Sequence, residues 1–382
     1  MDAALANHVV MGPAVLARAG IPFAAKIHGS ALEFTLRPNP RFLPYAREGM
    51  RAAAGVLVGS RHTAESLWET LDDPDLPAKT RLGPPGVDTG AFVPRSPPEA
   101  AADLHRLADS ISAEDRADEW GRDSSRAAAA LEAWAAAEGP RAVFVGKLIA
   151  SKGLDLLLAA WPLVARANPG ARLLVVAFGE GREVIESLQA ALDAGDMDAA
   201  RAIAARGLVT AEAQPVRLRM LDSFLSARPA GYEDAARAAA GSISLTGRLE
   251  HEEVARVLPA AHAIVVPSTF PEAFGMVAAE AAACGVIPLC ADHSGLREVC
   301  RSLAPALPIE AAELLSFPIG DGAVEAIADR LNRSLALDPG VREETGRALN
   351  RRVRELWSWE SVAGGVLAAS AGRLDDLPPV PQ

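Results

Sequence analysis

The chain has 382 residues, half of them apolar, and a mean hydropathy of +0.13, which suffices for two domains with sizeable cores. Its net charge of −11 argues against nucleic acid as a partner. The chain has no apolar run of about 18 residues and no basic N-terminal signal region, and Cys284, Cys290 and Cys300 lack metal-ligand spacing. We therefore expect a cytoplasmic protein without disulfides.

Residues 1–95 alternate between short helix and strand signals. The pattern predicts a helix over 9–19, a strand over 22–27 that delivers His28 at its carboxyl end, a helix-prone segment over 40–53 and a strand over 55–59. Ser60 is predicted to cap the helix that follows. Ligands of open α/β sheets bind at the carboxyl ends of strands, although a lone histidine there is more often structural. Arg61 and His62, at the helix start, are read as structural.

Residues 96–139 are rich in Ala, Asp and Glu and are expected to form a helical connector or insertion. A buried strand over 141–145 then leads into a loop that holds Lys147 and Lys152, two of the four lysines of the chain. Two cations at the carboxyl end of a strand suit a diphosphate. A second strand, over 173–178, precedes Gly179-Glu180-Gly181, but Val184 occupies the third glycine position of a dinucleotide fingerprint, and no P-loop motif exists. Residues 186–240 are expected to be a helical insertion.

The most informative segment is Phe270-Pro271-Glu272-Ala273-Phe274-Gly275-Met276-Val277-Ala278-Ala279-Glu280, which follows a strand over 263–268 and opens a helix. A strand, a turn and a helix start present backbone N–H groups to an anion. Carboxylates beside such an anion site suit a ligand that carries both phosphate and hydroxyls, as a nucleotide sugar does. The alternative is that Glu272 and Glu280 are solvated charges beside an ordinary turn.

This segment resembles the signature of the family 4 retaining glycosyltransferases. The Lys147 loop resembles the family's basic loop, in which an arginine usually stands at Lys147 and Lys-Gly at Lys152-Gly153. Residues 84–88 resemble its Asn-Gly-Val-Asp turn with Pro85 replacing Asn, and residues 294–298 its Gly-Gly-x-x-Glu turn with Ser294 replacing one Gly. The resemblance implies an α/β fold of the GT-B type, in which two Rossmann-like doubly wound domains face a cleft.

The resemblance also implies the roles of individual residues. It places His28, Glu272, Lys147 and Lys152 at the reacting sugar and the departing diphosphate. It assigns donor binding to five further positions: Glu280, Phe274, Gly275, Met276 and Arg248. For Arg248, which follows a strand over 243–249, stacking on the base and simple exposure are equally expected.

The reaction implied is transfer of a sugar, with retention, from a UDP-, GDP- or ADP-linked donor to an unidentified acceptor, without a metal or other cofactor. The leaving phosphate is expected to help deprotonate the acceptor. No basic amphipathic helix supports contact with a membrane. Two other functions stay open, a catalytically silent nucleotide-sugar-binding protein and a nucleotide-sugar epimerase of the same fold, and product analysis would separate them from a transferase.

The domain organisation predicted from the sequence is a partial N-terminal domain over 1–95, the connector, a nucleotide-sugar-binding domain over 140–355, and a final helix that crosses back within 356–382, with a disordered tail beyond residue 373. The strand and Gly-rich loop that begin the first domain in this family are not found before residues 11–13. We therefore expect an incomplete first domain with a bare Val-rich edge. The hypothesis is that Met1 is internal to a longer protein; the rival is completion by another chain, and the intact mass of the natively expressed protein decides.

Overall fold

The computed structural model describes residues 3–114, 122–210 and 214–381. Among these residues, two parallel sheets pack against helices, and a small antiparallel hairpin lies apart from them. The strands are β1 (Leu5–Asn7), β2 (Ala24–Ile27), β3 (Gly55–Val58), β4 (Thr80–Leu82), β5 (Arg141–Lys147), β6 (Arg172–Phe178), β7 (Leu208–Val209), β8 (Pro215–Val216), β9 (Ile243–Gly247), β10 (Ala263–Val266), β11 (Ile287–Ala291) and β12 (Ser316–Phe317).

The helices share amphipathic or Ala-rich sequences and connect successive strands. They are α1 (Gly12–Arg18), α2 (Leu43–Ala52), α3 (Arg61–Leu71), α4 (Pro97–Ala113), α5 (Ser124–Ala135), α6 (Leu154–Ala167), α7 (Arg182–Asp193), α8 (Met197–Arg206), α9 (Arg219–Ala227), α10 (Tyr232–Ala238), α11 (His251–Val257), α12 (Met276–Ala283), α13 (Ser294–Leu303), α14 (Ile309–Ala312), α15 (Ala323–Leu335), α16 (Pro339–Trp357) and α17 (Trp359–Ser370). Across the described ranges, none of these helices is both long and apolar enough to cross a membrane.

The first sheet runs β1-β2-β3-β4 with all pairs parallel. Both β2 and β3 are buried along their whole length, as is usual for strands covered on both faces. The cap predicted for α3 is confirmed, since Ser60 Oγ accepts a hydrogen bond from the Thr63 N–H at 3.2 Å. The sequence did not predict β1, because in a strand of three residues with only Ala6 buried the alternation is too short to detect. The edge strand on the N-terminal side of the sheet is therefore β1, which is not Val-rich.

The second sheet runs β12-β11-β10-β5-β6-β9, again with all pairs parallel. The chain moves outward from β5 to β6 and β9, and then returns to the other side of β5 as β10. The order of strands therefore reverses between β5 and β10. Ligands of open parallel sheets bind at such a reversal, beyond the carboxyl ends of the strands.

Helices α4 and α5 lie within the helical connector or insertion expected over 96–139. Leu104, Leu107 and Ile111 on α4, and Leu131 and Trp134 on α5, are buried in the core that also contains the second sheet. Their spacing of three to four residues places them on one face of each helix, and the abundance of Ala and acidic residues around them hid this pattern. Residues 115–121 of the expected connector lie outside the described residues.

Residues 186–240 contain helices, as expected, and also the hairpin formed by β7 and β8. Leu188, Leu192, Leu221 and Phe224 from this segment are buried in the same core. Over the described length of the segment, helices α7 and α9 are therefore packed into the second domain. Residues 211–213 of this expected insertion lie outside that length.

The tail beyond residue 373 was expected to be disordered, and over 374–381 this is wrong. Arg81 Nε donates to the Leu374 carbonyl at 2.9 Å, and the Leu82 N–H donates to the Pro378 carbonyl at 3.0 Å. The tail thus supplies acceptors for a backbone N–H and an arginine side chain of the edge strand β4. Helix α17 packs Ala369 against Ala24 and Leu57 of the first sheet. Gln382 lies outside the described residues.

Candidate functional site

The lysine loop lies at the strand reversal of the second sheet. Lys147 ends β5, and a single helical turn, Ala150–Lys152, leads to Gly153. Gly153 has a φ of +66°, and a Cβ atom there would lie 2.0 Å from the Pro267 carbonyl oxygen. Only glycine fits this close left-handed turn, which brings Lys152 against the loop that follows β10.

Glu272 is held firmly in that facing loop. Its Oε1 accepts hydrogen bonds from Lys152 Nζ at 2.5 Å and from Ser268 Oγ at 2.7 Å. Its backbone N–H donates to Ser294 Oγ at 2.9 Å. The side chain is about one quarter exposed, so the carboxylate is fixed in place and still accessible from the cleft.

Ser294 and His293 were not among the predicted site residues. Ser294 adopts a φ of 49°, which is the left-handed region that favours glycine. Its hydroxyl bonds to the Glu272 N–H and lies 3.0 Å from His293 Nδ1, while His293 Nε2 lies 2.7 Å from the Ser268 carbonyl. The replacement of the family's glycine by Ser294 was the signal in the sequence, and the hydrogen bond to Glu272 gives it a structural reason.

The N-terminus of α12 faces the same cleft. Gly275, the cap residue, has a φ of +121°, and a Cβ there would lie 2.6 Å from Leu296 Cδ2. The first N–H groups of a helix have no partner within the helix, so Gly275 and Met276 can present donors to an anion. Phe274 is buried, and its ring packs edge-on against Trp357 with centroids 5.1 Å apart. This packing fixes the turn.

Glu280 lies one turn into α12 and is 6% exposed. Its Oε1 lies 3.0 Å from His251 Nε2, and the His251 ring packs against Phe92. Burial raises the pKa of Glu280, and the His251 hydrogen bond partly offsets this. Sequence reasoning missed His251, because nothing in the local sequence links α11 to α12.

Arg248, just beyond β9, stacks over the Phe178 ring at 5.7 Å and donates to Glu250 at 3.2 Å. Its side chain is about one third exposed. The arginine thus lies at the carboxyl edge of the second sheet, beside the end of β6. This position of Arg248 is compatible with both expectations from the sequence, stacking on the base and simple exposure.

His28 approaches from the first domain. Its Nε2 lies 2.9 Å from Asn7 Oδ1, and its ring contacts that of His8 with centroids 5.2 Å apart. Burial, reinforced by His8 and Lys26, lowers the pKa of His28, which favours the neutral imidazole. Lys26 and Asn7 are further polar residues at this wall that the sequence did not single out.

Two adjoining cavities of about 300 Å³ each lie between the domains, and His28, Lys152 and Glu272 line both of them. The first also contains Phe274, Gly275 and Met276, and the second contains Lys147. The structure therefore brings seven of the nine predicted residues to one cleft. Of the described lining residues, none is Glu280 or Arg248, which lie farther along the edge of the second sheet.

Known proteins resemble this chain in sequence and in fold. Residues 208–346 match the family described as "Glycosyl transferases group 1". A D-inositol 3-phosphate glycosyltransferase from Segniliparus rotundus is 29% identical over 294 residues, which cover 77% of this chain and 47% of that protein. The chain thus spans about half the length of this curated relative.

Solved structures resemble the whole chain at low sequence identity. Anabaena HepE, in complex with UDP and glucose, superposes with a TM-score of 0.58 at 15% identity, covering 99% of this chain and 78% of that one. Sucrose-phosphate synthase from Thermosynechococcus elongatus gives 0.54 at 18% identity, covering 98% and 73%. These similarities confirm the predicted α/β fold with two Rossmann-like domains facing a cleft. Residues 208–346 are thus similar to a domain of the glycosyl transferases group 1, within a chain whose fold is of the GT-B type.

Proposed function

We propose that the chain is a retaining glycosyltransferase of the family 4 type, which moves a sugar from a nucleotide diphosphate donor to an acceptor. One observation carries the proposal. The Lys152–Glu272 pair, the N-terminus of α12 and His28 line a single cleft between two parallel sheets, at the strand reversal of the second. Cations, helix N–H groups and a carboxylate are the groups that a nucleotide sugar needs.

The donor diphosphate is proposed to lie between the lysine loop and α12. Lys147 and Lys152 supply positive charge, and the N–H groups of Gly275 and Met276 supply oriented donors. As the bond to the sugar breaks, negative charge grows on the departing phosphate, and these groups stabilise it. We propose that this set of groups replaces a metal ion in that task.

The sugar is proposed to lie between Glu272 and His28. Glu272 accepts hydrogen bonds from sugar hydroxyls, and Ser268, Lys152 and Ser294 hold it in position. The acceptor oxygen bonds to the anomeric carbon on the face that the diphosphate leaves, and the acceptor's proton passes to the departing phosphate. No protein nucleophile takes part, and the configuration at the anomeric carbon is retained.

The nucleoside is proposed to extend toward Glu280 and Arg248. Glu280 then accepts from the ribose hydroxyls, and Arg248 lies near the base. Solved structures of the similar HepE contain UDP and UDP-glucose, so UDP is the first nucleotide to test. The three free, buried cysteines fit a reducing compartment, and we propose a cytoplasmic location.

Calorimetric titration of UDP, GDP and ADP tests the donor site, with wild-type protein beside Lys152→Met. We expect one nucleotide to bind, and the variant to bind it about tenfold or more weakly, because hydrogen bonds to charged groups contribute about 1.5–3 kcal/mol. Lys79→Met is the matched control, since Lys79 donates to the Arg51 and Ala53 carbonyls, away from the cleft.

Equal affinity in Lys152→Met and wild type would contradict the role of Lys152 in the donor site. Absence of binding by a folded wild-type sample would contradict the donor site itself. When a nucleotide binds, analysis of products from the matching nucleotide sugars completes the test. A transferred sugar with inverted configuration would refute the retaining mechanism.

A further inference from the structure

Lys26 is a buried lysine within a strand. It lies in β2, two residues before His28, and is 6% exposed. Its Nζ donates to the Pro84 carbonyl at 3.0 Å. Among the residues that the structure describes, no carboxylate lies within ion-pair distance of it. An ammonium group has three donors, so the bond to Pro84 leaves two for another partner.

The wall that Lys26 occupies has few other polar groups. The first domain contributes six residues to this cavity: Lys26, Ile27, His28, Gly59, Gly83 and Pro85. Of their side chains, only those of Lys26 and His28 can form hydrogen bonds, and the low pKa of His28 favours its neutral form. Lys26 is therefore the cationic side chain on this wall, opposite Lys152 and the N-terminus of α12.

A buried amine without a counter-ion is costly to keep charged. Burial lowers the pKa of Lys26, and no nearby acid offsets the effect. An anion placed in the cavity would stabilise the charged form, because an opposite charge nearby favours ionisation. The arrangement would suit the binding of an anionic ligand by Lys26.

We propose that Lys26 binds a phosphate-type anionic group of a ligand from the first-domain side of the cleft. The placement of that ligand in the cleft rests on the proposed function. Lys26 would add a binding group from the first domain to the donor-binding groups of the second domain. Two sources share this chemistry. The anion is either the diphosphate of the donor or an anionic group on the acceptor.

The test compares wild type with Lys26→Gln, which keeps a donor for Pro84 and removes the charge. Lys26→Met is the second variant, and Lys79→Met is the control. Inorganic phosphate is titrated alone and in the presence of saturating UDP, and UDP is titrated separately. We expect Lys26→Gln to weaken binding of one of these probes about tenfold or more, while Lys79→Met binds as wild type does.

The pattern of losses identifies the source. Loss of phosphate binding in the presence of UDP points to the acceptor, whereas loss of UDP affinity points to the donor diphosphate. If wild type binds no nucleotide, the proposed function fails, and the titration of phosphate alone still reports on Lys26. The proposal is overturned if wild type binds neither probe, or if Lys26→Gln and Lys26→Met bind both probes with wild-type affinity.

Discussion

Glu280 is buried, and it is proposed to bind the ribose hydroxyls of the nucleotide. Its one described side-chain partner is His251, whose own side chain is largely exposed. Burial raises the pKa of Glu280, so the folded state holds the proton more tightly than the unfolded state does. Its favourable contribution to folding is present at pH values below the unfolded pKa and is lost as the pH rises through the folded pKa. At neutral pH the ionised carboxylate therefore costs stability.

We expect Glu280→Gln to raise the free energy of unfolding relative to wild type, and to raise it more at pH 8 than at pH 4. The same variant should bind the nucleotide about tenfold more weakly, since a neutral amide replaces a charged acceptor. Urea unfolding at both pH values and calorimetry measure the two effects. Stability gained together with affinity lost would mark Glu280 as a residue retained for function.

Glu186→Gln is a suitable control for this substitution. Glu186 accepts from Arg182 and Arg126 outside the cleft. Burial acts to raise the pKa of Glu186, but the two arginines outweigh it and lower the pKa. The control should therefore lose a little stability and keep nucleotide affinity. A Glu280→Gln variant that binds the nucleotide as tightly as wild type would remove the ribose role, whatever its stability.

At the scale of elements, the turn at Gly153 determines where the lysine loop meets the loop that follows β10. Alanine there needs a left-handed backbone and places its Cβ 2.0 Å from the Pro267 carbonyl oxygen. We expect Gly153→Ala to lower the free energy of unfolding by about 1–3 kcal/mol or more and to weaken nucleotide binding, because Lys152 must move with the turn. Urea unfolding and UDP calorimetry on the same samples measure both.

Gly231→Ala separates the cost of a left-handed backbone from the cost of a steric clash. Gly231 has a φ of +76°, and its added Cβ would meet nothing within 4 Å. This variant should lose only the cost of the left-handed backbone, about 1–2 kcal/mol, with nucleotide affinity unchanged. Equal stability losses in the two variants would show that the contact with Pro267 relaxes readily.

The parts of the fold that follow from local patterns could be predicted from the sequence. The buried runs of β5, β6 and β10, the cap at Ser60 and the lysine loop each lie within a few neighbouring residues. The strand reversal then explains why the loops after β5 and β10 face each other. That Lys152 and Glu272 share one cleft was implied by the family resemblance, and the strand reversal gives the structural reason.

Contacts between distant segments could not be predicted in this way. The pairing of Glu280 with His251 joins two helices, and that of Glu272 with Ser294 joins the loop after β10 to the start of α13. The tail from Leu374 was expected to be disordered because its polar, Pro-containing sequence shows no periodicity. Its order comes from the edge of β4, which no local pattern reveals.

At the scale of the whole molecule, contacts across the cleft hold the two domains together. Glu298 on α13 accepts hydrogen bonds from the Arg61 N–H at 2.8 Å and the His62 N–H at 3.3 Å, at the N-terminus of α3. The Phe34 and Phe270 rings also stack across the cleft, with centroids 6.4 Å apart. A carboxylate from one domain thus caps a helix of the other, where the helix dipole favours negative charge.

We expect Glu298→Ala to weaken the contact between the two domains, because two N–H groups of α3 lose their acceptor and loss of a helix cap costs about 0.5–2 kcal/mol. Small-angle X-ray scattering should show a larger radius of gyration for the free variant than for free wild type. Adding the nucleotide that binds wild type should reduce the difference, since the proposed ligand site draws on both domains.

Glu65→Ala is the matched control for this experiment. Glu65 also bonds to Arg61, but through the arginine side chain and within the same helix, so its loss should leave the radius of gyration unchanged. If Glu298→Ala scatters as wild type does while Glu65→Ala behaves as expected, the Glu298 cap does not hold the domains together. The association of the domains would then depend on the remaining contacts, of which the Phe34–Phe270 stack is the next to remove.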